Sequence, residues 1–167
     1  RFLGQLETCL SLHPFILGRR PSSSDYAIYG QLTQLIGFDP TSSSIAHEIS
    51  PRVIAWLDQM EDMSGLDPNE GDWINFEDAE ENLSHLFAEI SKVYIPVLLA
   101  NADATALHQK TWTAEIDGAQ WEQRSFPYQA KCLKWINEEF QTLNNDDQQQ
   151  ILSFLTKTGC EDLILRD

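Results

Sequence analysis

Few side chains in this sequence are spaced for catalysis or for metal binding. Glu81 and His85 lie four residues apart in a helical pattern, the spacing of two metal ligands on one helix face. The longer signatures of such sites, paired Glu-x-x-His motifs for a di-iron centre or His-Glu-x-x-His for a zinc protease, are missing. The other histidines, His13, His47 and His108, are scattered. The sequence therefore predicts no metal site, and it contains no nucleophile motif or phosphate-binding glycine loop.

The three cysteines, Cys9, Cys132 and Cys160, are also weak candidates for chemistry. An odd number without a Cys-x-x-Cys pair fits neither a disulfide framework nor a zinc finger, and it favours reduced thiols in the cytosol. Each cysteine lies among apolar residues, where it is more often a small core residue than a nucleophile. We therefore expect a cytoplasmic protein with three core thiols.

Composition and charge exclude several classes of partner. Twenty-six acidic residues against eleven basic ones give a net charge of -15, which repels nucleic acid and anionic membrane surfaces. The longest uncharged apolar run, 93–100, is far shorter than the roughly 20 residues of a membrane span. A hydrophobic content of 42% in 167 residues supports one packed domain over 1–167. Because the sequence opens without Met inside a helical pattern, we expect a fragment of a longer chain.

The clearest helix start in the sequence is at Ser22, and the rest of the chain is expected to pack around the helix that follows. The Ser22 hydroxyl can accept the N–H of Asp25, and the Asp25 carboxylate can accept the N–H of Ser22, which is a capping box. Apolar residues then share one stripe of the helix: Ile28, Leu32, Leu35 and Ile36. Gly30 costs roughly 1 kcal/mol relative to alanine inside a helix, so we expect close packing at this position.

Other periodic segments predict an all-α body with one exception. Helices are expected over 2–12, from Pro51, over about 76–99 with a kink at Pro96, over 128–143, and from a cap at Asn145. Residues 41–44 and 61–72 are predicted to be polar loops. In 111–124 the period changes, because Trp112, Ala114 and Ile116 alternate before an Asp-Gly turn. We therefore predict a small β-hairpin near 111–124 on a helical bundle.

Residues 12–26, LHPFILGRRPSSSDY, resemble a family pattern. They are similar to the "pyllG-x-x-P-S-x-A-D" segment that leads into the central buried helix of the C-terminal, all-helical domain of glutathione S-transferases. Gly18, Pro21, Ser22 and Asp25 match the pattern, and Ser24 replaces the usual alanine. Residues 51–60 are similar to the next helix of the family, with its proline, two aliphatic residues, tryptophan and methionine. The resemblance covers 12–60, and the hairpin is a departure from the family.

The resemblance implies that catalysis needs a second half. In the family, a thioredoxin-like N-terminal domain binds glutathione as co-substrate and carries the activating Ser, Tyr or Cys, and two full-length subunits often form a homodimer. Nothing in this sequence resembles that domain, so this part alone is not expected to catalyse. The helical half supplies the apolar wall that holds a small-molecule electrophile.

Three aromatic residues, Tyr29, Trp112 and Trp121, are our candidates for that wall. Bulky aromatic side chains with a polar edge often line small-molecule clefts. The alternative for each is a role in filling or covering the core. Two other functions stay open at this point: a non-catalytic docking module built on the same helical fold, and a specialised glutathione chemistry in which the hairpin shapes the pocket.

Overall fold

The computed structural model describes residues 1–164 and is mostly helical, with one small sheet. In chain order the helices and strands are α1 (Phe2–Leu12), α2 (Ser23–Gly37), α3 (Pro40–Ile49), α4 (Pro51–Glu61), α5 (Phe76–Lys92), α6 (Tyr94–Ala106), β1 (Thr111–Ile116), β2 (Ala119–Arg124), α7 (Pro127–Thr142) and α8 (Asn145–Thr158). Two short 3-10 helices occupy Glu70–Asp72 and Glu161–Leu163. The predicted class, all-α with a hairpin, is confirmed at this level.

The chain forms two compact units, Arg1–Leu83 and the part from Ser84 onward. In the first unit, α4 packs against α1 and α2. Its apolar residues recur at helical spacing and share the buried face that the sequence predicts. The buried core of this unit is made of Leu6, Leu10, Phe15, Ile16, Leu32, Ile36, Ala46, Val53, Trp56, Leu57 and Met60. The single domain predicted over 1–167 stays a prediction.

The central helix α2 is buried along a narrower stripe than the sequence suggests. Leu32 and Ile36 are in the core and Ile28 packs against it, but half of the Leu35 side chain is exposed. The expectation of close packing at Gly30 is wrong: among residues 1–164, nothing apart from the adjacent backbone of α2 itself lies within 4 Å of the place where a Cβ would stand. The apolar stripe therefore points partly to solvent, because the surrounding helices cover only one side of α2.

Residues 41–44 are helical, so the predicted loop is wrong. Asp39 is the N-cap of α3, and its carboxylate accepts the N–H of Ser42 at 2.7 Å. This hydrogen bond lowers the pKa of Asp39 below its ordinary value of 3.8. Pro40 occupies the first helical position, where its missing N–H has no cost. The run of serines suggested a loop, but Asp-Pro is a helix start.

The start of α4 is capped from another helix. It begins at Pro51 as predicted, but the Ser50 side chain makes no capping bond and donates instead to the carbonyl of Ala46. The Glu7 carboxylate on α1 accepts the N–H groups of Arg52 and Val53, at 2.9 and 3.1 Å. A carboxylate from α1 thus satisfies donors that the sequence assigns to Ser50.

Pro96 breaks the long helix predicted over 76–99. The helices α5 and α6 meet at an angle of 43° next to Val93. The break lies where the ring of Pro96 would clash with the carbonyl of Lys92, four residues earlier. Within residues 1–164 no single helix is long and apolar enough to cross a membrane, and only this bent pair passes on length and composition.

The hairpin is confirmed. Strands β1 and β2 pair antiparallel, and the turn residues Asp117 and Gly118 both have positive φ, 50° and 77°. Two such residues are characteristic of the type I′ turn that matches the twist of a hairpin. Trp112 and Ile116 pack with Val97 and Ala104 of α6. The hairpin therefore rests its apolar face on a helix of the same unit.

The last two helices follow the predicted pattern closely. α7 starts at Pro127, one residue before the predicted start. The cap of α8 is Asn144, one residue earlier than expected, and its side chain accepts the N–H of Asp147 at 3.0 Å. Gly159 ends α8 with φ 71°, the left-handed conformation in which glycine carries no Cβ penalty.

Candidate functional site

The entry to α2 is fixed by the buried carboxylate of Asp25. This carboxylate accepts hydrogen bonds from the N–H of Ile16 at 3.0 Å, and from the N–H and hydroxyl of Ser22 at 2.8 and 2.6 Å. The Ser22 oxygen in turn accepts the N–H of Asp25 at 3.4 Å, so both bonds of the capping box are present. These hydrogen bonds hold the backbone before α2 in place, so Asp25 has a structural role.

Gly18 lies in the connector between α1 and α2, residues 13–21, and it allows this connector to pair with residues 72–74. It has φ 132°, and a Cβ there would overlap the carbonyl oxygen of Asp72. On either side of Gly18, the backbone N–H of Arg19 donates to the carbonyl of Asp72 at 2.8 Å, and the backbone N–H of Ile74 donates to the carbonyl of Leu17 at 3.1 Å. Only glycine fits this conformation and this close approach. The sequence analysis did not predict this pairing, because no motif near Gly18 indicates which distant segment it will contact.

Tyr29 lies one turn beyond Asp25 and lines a cleft of about 360 Å³ between α2 and α4. We name this the Tyr29 cleft, and its apolar surface comes from Ile36, Ile54 and Leu57. Phe38, just after α2, is its second aromatic residue and is largely exposed. A concave apolar surface with a few polar groups is the usual form of a small-molecule site.

Two carboxylates of α4, Asp58 and Glu61, lie at the same cleft. The hydroxyl of Tyr29 donates a hydrogen bond to Oε2 of Glu61. This bond, with smaller contributions from desolvation and from the negative charge of Glu61, raises the pKa of Tyr29 above its ordinary value of 10.0. The phenol therefore stays protonated at neutral pH and orients the carboxylate beside it.

A second apolar cleft, of about 300 Å³, lies in the same unit. Phe2, Leu35 and Ile45 contribute to its lining, together with Arg1 and Ser42. This cleft explains why Leu35 is half exposed although it belongs to the apolar stripe of α2. Its described lining contains no carboxylate, in contrast to that of the Tyr29 cleft.

The two tryptophans predicted for the wall lie in the other compact unit. Trp112 is buried against α6, and its indole nitrogen has no hydrogen-bond partner among residues 1–164. Trp121 pairs with Ala114 across the two strands, so it lies on the same face of the hairpin as Trp112. Its indole N–H donates to the side-chain oxygen of Gln123 at 3.3 Å. Trp112 thus fills a core, while Trp121 is partly exposed. The structure brings these two together on one hairpin, and Tyr29 lines a cleft elsewhere.

Three aromatic rings form an exposed patch along the first half of α7, which we name the aromatic patch: Phe126, Tyr128 and Trp135. The ring of Tyr128 lies 6.1 Å from that of Phe126 and 5.8 Å from that of Trp135. About half of each side chain is exposed. Exposed aromatic clusters of this kind often mark interaction surfaces.

The cysteines differ in burial. Cys9 and Cys160 are buried, and their thiols donate to the carbonyls of Asn82 and Phe87 at 3.1 and 3.3 Å. Burial raises the pKa of both thiols above 9.0, which keeps them protonated and unreactive. The expectation of a core position is wrong for Cys132, which is only partly buried on α7.

Comparisons with known proteins gave no relative. A scan against models of protein families, a search of curated proteins and a search of solved structures each found no match. Over residues 1–164, no group of three or more His, Cys, Asp or Glu side chains is placed to hold a metal ion. The cleft and the contacts around it are therefore the basis for a functional proposal.

Proposed function

We propose that this chain is the C-terminal helical half of a glutathione S-transferase-like protein. In this proposal the Tyr29 cleft belongs to the apolar wall that holds a small electrophile while glutathione is conjugated to it. Glutathione itself is bound by a thioredoxin-like half outside this sequence, in a cytoplasmic enzyme whose subunits pair as a homodimer. The helical half contributes binding and orientation, which lower the entropic cost of bringing the two reactants together.

The observation that carries the proposal is the constrained role of the residues in the family-like pattern. Gly18 sits where no side chain fits, and Ser22 and Asp25 form the buried capping box. These three residues set the start and direction of α2, whose next turn carries Tyr29. A pattern that leads into a helix bordering a substrate cleft is what the resemblance implies.

The Tyr29 cleft also has the size and lining expected of the proposed wall. Its volume of about 360 Å³ is at the lower end of ligand pockets, which span roughly 300–1,000 Å³. Tyr29 and Phe38 offer flat aromatic surfaces, and Ile36, Ile54 and Leu57 give an apolar floor. Such a surface favours a compact aromatic or aliphatic electrophile.

The proposal predicts a specific kinetic effect of Tyr29→Ala in the full-length protein. Loss of the ring should raise the KM for an aryl halide about fivefold and leave the KM for glutathione unchanged, because only one wall of the cleft is altered. Steady-state conjugation assays measure both constants. Tyr26→Ala is the matched control, since Tyr26 is exposed on the same helix and does not line the cleft.

Retention of the full-length protein on immobilised glutathione is the complementary test. A protein that is neither retained nor active in conjugation contradicts the proposal. The docking module would then be favoured, and the aromatic patch of Phe126, Tyr128 and Trp135 is the observation that supports it. In that case Trp135→Ala should weaken binding of a protein partner, since exposed aromatic residues are frequent anchors at interfaces.

A further inference from the structure

We propose that the Tyr29 cleft binds small molecules that have an apolar body and one positively charged group. The carboxylates of Glu61 and Asp58 would favour such molecules over neutral or anionic ones. The inference names the ligand class of the cleft described above. It rests on the proposed function for the role of the ligand as a substrate, whereas the binding itself needs only residues of this chain.

The two carboxylates stand together at one edge of the cleft. Asp58 and Glu61 are three residues apart on α4, so they occupy the same helix face. Over residues 1–164 neither makes an ion pair with a lysine or arginine, and no basic residue lines the cleft. Within the described part of the chain, no basic side chain neutralises the two negative charges at the edge of the cleft.

The hydrogen bond from Tyr29 fixes the orientation of one of these carboxylates, that of Glu61. Oε2 of Glu61 accepts the phenol hydroxyl, and among residues 1–164 no group binds Oε1, which stays available to a ligand. An ammonium group near Oε1 would be attracted by the negative charges of both Glu61 and Asp58. A carboxylate or phosphate in the same place would meet two like charges, which lowers its affinity.

The rest of the cleft takes the apolar body of the ligand. Ile36 and Leu57 are buried core residues and Ile54 packs against the same core, so the floor is preformed. Phe38 is 78% exposed and free to cover a bound ring. A flat aromatic body with one ammonium group satisfies both parts of the site.

The second cleft shows that the charge is a local property of the Tyr29 cleft. It has a similar volume and an apolar lining, but among residues 1–164 the charged side chain that lines it is Arg1, and none of its lining residues carries a carboxylate. An apolar ligand should enter either cleft, while a cationic one should prefer the cleft with Glu61 and Asp58.

The test compares three probes that share one ring system: 1-naphthylmethylammonium, 1-naphthylmethanol and 1-naphthoate. Each is titrated into the 167-residue chain and followed by amide chemical shifts. We expect the cation to bind about tenfold more tightly than the alcohol, with naphthoate weakest and with the largest shifts at Tyr29, Thr33 and Leu57. Added salt should weaken binding of the cation alone, because screening acts on the charged contact.

Charge-removing variants assign the preference to its residues. The double variant Glu61→Gln and Asp58→Asn should reduce the affinity for the cation to that of the alcohol, because the amide at position 61 still accepts from Tyr29 but carries no charge. Glu48→Gln is the matched control, since it removes an exposed charge from α3 outside the cleft lining. It should change the affinity for the cation by less than twofold.

Three outcomes overturn the inference: equal binding of the three probes, a preference that survives the double variant, or an equal loss in Glu48→Gln, which would indicate attraction by the overall charge of -15. Failure of the proposed function is recognised separately. A full-length protein that lacks conjugation activity, with the cation preference of the chain intact, refutes the enzyme and leaves the cationic site standing.

Discussion

At the scale of single residues, the structure separates side chains that hold the backbone from those that face a ligand. Asp25 is fully buried, and its carboxylate accepts hydrogen bonds from Ile16 and Ser22 in the segment before α2. Tyr29 is only one turn away, but its hydroxyl meets Glu61 at the edge of a cleft. The difference arises because Asp25 points to the connector and Tyr29 to the groove between α2 and α4.

Replacement of Asp25 by alanine should therefore destabilise the fold strongly. The N–H of Ile16 and the N–H and hydroxyl of Ser22 would lose their acceptor in a buried place. We expect the free energy of unfolding to fall by about 3 kcal/mol, since each unsatisfied buried donor costs roughly 1–3 kcal/mol. Urea unfolding followed by circular dichroism measures the change.

Ser23→Ala is the control for that measurement. Ser23 is exposed in the first turn of the same helix, and this change should alter stability by less than about 0.5 kcal/mol. An Asp25→Ala variant as stable as the Ser23→Ala variant would show that the buried hydrogen bonds contribute little.

At the scale of elements, helix ends and backbone pairings depend on residues from distant segments. The donors at the start of α4 are satisfied by Glu7 of α1, and the connector before α2 pairs with residues 72–74. These contacts join segments more than 40 residues apart, so α1, α2 and α4 are positioned by polar bonds as well as by their apolar faces.

Two glycine substitutions should have opposite effects on stability. Gly30→Ala should raise the free energy of unfolding by up to about 1 kcal/mol, because the position is helical and exposed and no other described segment packs against it. Gly18→Ala should lower it, by more than about 2 kcal/mol, since the new Cβ meets the Asp72 carbonyl and φ is positive. Thermal and urea unfolding of the two variants give the comparison. A destabilised Gly30→Ala protein would mean that another surface packs on α2.

At the scale of the whole molecule, the three cysteine thiols differ in their exposure to solvent. Cys9 and Cys160 lie in different compact units and are both buried, with carbonyl partners and raised pKa values. Cys132 is partly exposed on α7. Because thiol reactivity needs both access and ionisation, the native protein presents one thiol to solvent.

Titration with a thiol-specific reagent at neutral pH should accordingly show one fast equivalent and two slow ones. In denaturant all three should react at similar rates. Cys132→Ser should remove the fast phase and leave the slow ones. Two fast equivalents in the native protein would contradict the burial of Cys9 or Cys160.

The sequence by itself determined those features whose signals lie within a few residues of one another. The capping box of Ser22 and Asp25, the break before Pro96 and the Asp-Gly turn of the hairpin all follow from local backbone chemistry. One local signal was misinterpreted: Asp39 and Pro40 start a helix, but the run of polar residues at 41–44 led to the prediction of a loop.

Only the tertiary structure decided which side of each helix is covered and which distant groups meet. Gly30 and Leu35 are exposed because the neighbouring helices cover one side of α2, and periodicity cannot tell how many neighbours a helix has. Tyr29 and Glu61, 32 residues apart, form one polar edge because α2 and α4 pack side by side. Packing between elements, and not propensity within them, created the cleft for which we propose a ligand.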